Sequence, residues 1–70
     1  MERHFLSRSA AIEYLVHRRT ALSRSVSGAS SEEGRTIRER IDVINQLILD
    51  LGAGRVDAFQ AGKIEIFTTD

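Results

Sequence analysis

The residues of this sequence whose types could do chemistry are the glycines of "GAG" at Gly52 to Gly54, the run "HRR" at His17 to Arg19, and the adjacent carboxylates Glu32 and Glu33. A phosphate-binding loop needs a strand before its glycines and a helix N-terminus after them, so that N–H groups point at the anion. Here an apolar helical pattern precedes the glycines and an alternating pattern follows. They read as a helix stop. Glu32 and Glu33 fall at an expected helix start, where acidic side chains suit the macrodipole. His4 and His17 are the only imidazoles and stand thirteen positions apart, and there is no cysteine, which excludes disulfides and thiolate metal sites. No nucleophile, base and orienting group can be assembled from the remaining Ser, His and Asp. The chain is therefore expected to be non-enzymatic, with no metal and no cofactor.

Helical geometry divides the basic run. His17 and Arg18 lie toward a polar face and read as solvated. Arg19 points into the middle of an apolar stripe, with Arg8 about three turns earlier on the same side. A guanidinium there must snorkel, pair with a carboxylate of the next helix such as Glu39 or Asp42, or meet another chain.

Seventy residues form one small domain, residues 1–70, whose core as a monomer is marginal; without cysteines, oligomerisation or docking on a larger body is the usual remaining support. Net charge is zero but uneven. Residues 1–30 hold five arginines against two glutamates, and residues 31–70 hold five basic against eight acidic groups, giving halves of +3 and −3. That division suits packing of two segments, or head-to-tail association of copies, better than it suits a phosphate backbone, which calls for a net basic surface. No apolar run approaches the roughly 20 residues that span a bilayer, and the N-terminus lacks a signal-peptide core. A soluble, cytoplasmic protein is expected.

Three elements must position these residues. Phe5, Ile12, Leu15, Val16, Leu22 and Val26 share one helical face, which predicts a helix over about 5–27. Ser30 and Glu33 have capping-box spacing and open a second helix over about 31–51. In it Ile37, Ile41, Ile44, Ile48 and Leu51 follow a 4-3-4-3 rhythm that wants a facing helix, and Gly52 or Gly54 supplies the left-handed C′ position. The short Ser-rich connection makes the helices antiparallel neighbours. Residues 55–68 then alternate as a hairpin. If Gly62 takes the left-handed position of a three-residue loop, Phe59 faces Lys63, Ala58 faces Ile64 and Val56 faces Ile66. The expected fold is α+β and mostly α: an antiparallel helical hairpin followed by a C-terminal two-stranded β-hairpin.

That register turns Val56, Ala58, Ile64 and Ile66 toward the helices and leaves Phe59 and Phe67 on the far side with Arg55 and Lys63. The outward aromatics become candidate anchors for a protein partner, unless the hairpin twists to lay one of them on the helices. Phe59, Phe67, Arg55, Lys63 and Arg19 form the expected partner-binding set. The strand from Lys63 to Thr68 is expected to keep an open edge that another chain could pair with.

The segment "LILDLGAGRVDAFQAGKIEIFTTD" resembles the first helix and β-hairpin of small phage head–tail joining proteins of the lambda W type. Leu47 and Leu51, Gly54, Val56, Gly62, Lys63, Ile64 and Phe67 stand where that family carries its helix leucines, helix-ending glycine, first strand and returning strand. The likeness covers about a third of the chain; that family places its further helix after the hairpin, whereas here it precedes the matched block. The resemblance implies a virion component that sits between portal and tail and works by contacting several neighbours. The expected function is a structural or assembly subunit. A small inhibitor or regulator of a host protein is the first alternative, and a helical nucleic-acid-binding module the second.

Overall fold

Ser7, and not the apolar stripe, sets the start of the first helix. The computed structural model describes residues 2–70, and in it Ser7 has extended backbone geometry and its Oγ accepts from the Ala10 N–H at 3.1 Å, the action of an N-cap. Helix α1 runs from Arg8 to Val26, and the residues before the cap form a strand, β1, Glu2–Leu6. The expectation of a helix beginning at residue 5 is thereby corrected. Phe5 is in phase with the helical stripe, yet it belongs to an extended segment whose backbone partners lie some sixty residues away.

Helix α2, Ser31–Gly52, starts as its sequence predicts: Ser30 Oγ accepts from the Glu33 N–H at 3.2 Å, with Glu32 and Glu33 in the first turn. Ser30→Ala is expected to cost about 1 kcal/mol of stability, measurable as a lower urea midpoint with an unchanged slope. At the other end the Gly54 N–H bonds Leu51 O and the Arg55 N–H bonds Asp50 O, the paired pattern of a Schellman stop. Gly54 has φ of +76°, so it, and not Gly52, is the left-handed residue.

Strands β2, Ala58–Ala61, and β3, Ile64–Thr68, form the terminal hairpin. The fold is an antiparallel helical hairpin followed by a β-hairpin, enlarged by β1 into a three-stranded sheet of order β1-β3-β2. β1 lies parallel to β3, pairing Phe5 with Phe67, and β2 lies antiparallel to it, pairing Phe59 with Ile66 and Ala61 with Ile64. The hairpin loop is therefore two residues, Gly62 and Lys63, with Gly62 at φ +63°. The expected loop of Gln60 to Gly62 would set Ala58 opposite Ile64, three residues from its observed partner Phe67, and an odd offset exchanges the faces of a strand.

The exchange falls on β2. Phe59 and Ile66 point inward and are buried with Ala11, Leu15, Ile44 and Leu51, which form the core, while Ala58 is exposed. Phe59 also meets the ring of Tyr14 at 6.4 Å. The aromatic ring fills space over α1 that the methyl of Ala58 would leave open, and its larger apolar area makes this register the favoured one. No helix among the described residues is long and apolar enough to cross a membrane.

Candidate protein interaction surface

One side chain ties the helical pair to the sheet. Arg8 opens α1, and its guanidinium donates to Leu51 O at 2.7 Å, Val56 O at 2.9 Å, the Asp57 carboxylate at 2.9 Å and Asp70 O at 3.1 Å. The Arg8 backbone N–H donates to Asp70 Oδ1 at 2.6 Å. The first turn of α1 contains no acidic residue, so the Asp70 carboxylate supplies the negative charge that suits a helix N-terminus. The guanidinium adds a second donor to Leu51 O, which also accepts from the Gly54 N–H, and supplies one to Val56 O where the chain turns toward β2. Arg8 thus does structural work.

Two of the expected partner-binding residues are engaged inside the chain in other ways. Arg19 donates to Asn45 Oδ1 at 2.8 Å, in place of the expected pairing with Glu39 or Asp42. The amide dipole serves a half-buried guanidinium without burying a second charge. Arg55 grips the Asp50 carboxylate through Nε at 3.0 Å and through a terminal nitrogen at 2.9 Å, fastening the end of α2. Phe59, in the core, is not available as an outward anchor. The expected open edge of β3 is occupied by β1, and the open edges are those of β1 and β2.

Phe67 does lie on the outer sheet face, and there it meets an aromatic that periodicity had placed in a helix. The rings of Phe5 and Phe67 stack with centroids 5.4 Å apart and planes inclined by 22°, and Phe5 is 67% exposed. Arg3 and Glu65 pair beside them at 3.7 Å. In a parallel pair the register-matched side chains emerge side by side, so strand pairing brings residues 5 and 67 together. Ser7 as an N-cap was the signal in the sequence that could have freed Phe5 from the helix. The two His–Glu contacts, His4 with Glu2 at 3.5 Å and His17 with Glu13 at 3.9 Å, are exposed and local, and no group of three metal-ligating side chains occurs among the described residues.

A second feature lies on the helix side. A groove of about 380 Å³ opens where the helices pass beyond the β2–β3 turn, with Leu15, Leu22, Val43 and Leu47 as its floor and Gln60 to Gly62 as its wall. Lys63 is exposed at the tip of that turn.

No curated protein and no solved structure matches the chain. The unit that runs from the first strand to the last, and carries both the aromatic stack and the groove, coincides with residues 2–68, the stretch matched by the model of the family described as "uncharacterized protein BTH_I2711-like", and the chain belongs to that family.

Proposed function

We propose that the protein is a non-enzymatic assembly subunit that acts through protein–protein contacts, docking by the outer face of its sheet. The observation that carries this reading is the Phe5–Phe67 stack, an aromatic pair held by strand pairing but facing solvent. Aromatic side chains in such positions are enriched among the few that dominate interface energetics. The charges beside it, Arg3 and Glu65, are of opposite sign and paired, which favours a protein partner over a phosphate backbone. The finer form of the proposal is a neck or tail component of a phage particle. Its support is the likeness of the α2–β2–β3 segment to head–tail joining proteins of the lambda W type.

Phe5→Ala is the direct test, with Phe67→Ala as its companion. Truncating an interface anchor typically weakens binding by about 2 kcal/mol or more, roughly thirtyfold. Phe5→Ala is expected to leave the circular dichroism spectrum and melting temperature nearly unchanged, yet to deplete specific partners in quantitative co-purification with the native chain as reference. The same partners at the same yield in both would refute the reading. For the finer form, mass spectrometry of purified particles should find the chain at a stoichiometry of several copies per particle.

A further inference from the structure

We infer that the groove beneath the overhanging helices is covered by the same groove of a second copy, giving a two-fold symmetric dimer. This rests on the assembly reading above but uses a different face of the molecule.

The overhang follows from element lengths. The 22 residues of α2 span about 33 Å at 1.5 Å per residue, whereas the five residues of β3 span about 17 Å. Both helices share one end with the sheet, because α1 starts one residue after β1 and Arg8 fastens the end of α2 beside it. The surplus length therefore projects past the Gly62–Lys63 turn. The molecule is accordingly elongated, 39 Å by 26 Å by 15 Å.

The result is a step. Its floor is the sheet-facing side of the projecting helices, where Val43 is 61% exposed, and its riser is the β2–β3 turn. The riser is one layer high, about 10 Å, which is the distance at which helices pack on one another. A second step turned by two-fold rotation fills the first: helices lie on helices, and each pair's far end abuts the other's turn. An isologous contact of this kind makes every interaction twice.

The charges agree with that arrangement. The far end of the projecting pair is the start of α2, with Glu32 and Glu33, and the riser it would meet carries Lys63. Near the middle of the floor the rim holds both signs, Glu39 with Arg18 and Arg40, as a self-complementary surface requires. Among the described residues, Glu32, Glu33, Glu39, Arg40 and Lys63 enter no ion pair within the chain.

The test is sedimentation equilibrium of the full chain over a hundredfold dilution, with zero-length carbodiimide cross-linking of a mixture of isotope-labelled and unlabelled protein. The native chain is expected to sediment as a monomer–dimer equilibrium, and mixed-isotope cross-links should join Lys63 to Glu32 or Glu33. Val43→Asp should weaken dimerisation by about thirtyfold or more, the loss typical of a charge placed in an interface core. Lys63→Glu, on an exposed turn where folding is not at risk, should weaken it by about fivefold, and Glu32→Lys with Glu33→Lys in the same chain should restore it. A compact monomer at every concentration would overturn the proposal while leaving the aromatic face, probed by Phe5→Ala, as a separate question. A dimer that tolerates Val43→Asp and Lys63→Glu but is lost in Phe5→Ala would overturn it as well, by placing self-association on the sheet.

Discussion

Ile44→Asp is expected to abolish folding, while Val43→Asp, one position earlier on the same helix, is expected to leave the monomer's stability within about 0.5 kcal/mol of the native value. Ile44 is 8% exposed and belongs to the core, whereas Val43 is 61% exposed. Burying an unpaired carboxylate would either leave a charge in apolar surroundings or force its protonation, and the cavity left by the branched side chain adds to the loss. The sum is several kcal/mol in a domain whose entire stability is of that order. Circular dichroism at high dilution, where self-association does not contribute, should show helix content lost in the first variant and kept in the second. Equal losses would mean that the phase of α2 is different from the one described.

Removing the guanidinium of Arg8 is expected to be the costliest change outside the apolar core. Arg8→Met keeps the unbranched stem and its packing but deprives Val56 O of its donor in a part-buried setting and leaves Leu51 O with the Gly54 N–H of the helix stop. An unsatisfied carbonyl costs about 1–3 kcal/mol and the second bond to Leu51 O is lost as well, so the destabilisation should be about 2 kcal/mol. Asp57→Asn provides the contrast, because Asp57 is exposed and its side of the pair is screened by water; its effect should stay below about 1 kcal/mol. Hydrogen exchange would locate the damage. In Arg8→Met the amides of Thr68 and Thr69, which bond Asp57 O and Leu6 O, should lose protection before those in the middle of α2. A stability loss as small as that of Asp57→Asn would reduce the carbonyl contacts to incidental ones.

Much of the helical hairpin was determined locally. The 4-3-4-3 rhythm of the isoleucines, the Ser30–Glu33 cap and the glycine stop each act within a few residues, and each appears in the fold where sequence reasoning placed it, with the choice between Gly52 and Gly54 settled by the one positive φ. The sheet was determined otherwise. "ERHFL" holds no alternation strong enough to outweigh Phe5 being in phase with α1, and it becomes a strand only because β3, some sixty residues later, offers it a parallel partner. The hairpin itself was legible, but its register was not. Gly62 is compatible with loops of two or three residues, and the choice between them rests on whether Phe59 or Ala58 fills the space over Tyr14.

The candidate interaction surface follows the same division. Phe67 was visible in the sequence as an outward aromatic, but its companion Phe5 was not, since side chains so distant in the chain meet only through strand pairing. The roles of Arg8, Arg19 and Arg55 were equally hidden: a guanidinium reaches about 6 Å from its backbone and accepts whichever carbonyl, amide or carboxylate the packing presents. Sequence by itself determined what is periodic and what is capped, because those preferences act between neighbours along the chain. Only the tertiary structure decided which strands pair, which aromatic is buried and what each arginine holds, because those outcomes are set by contacts between residues that the chain must first bring together.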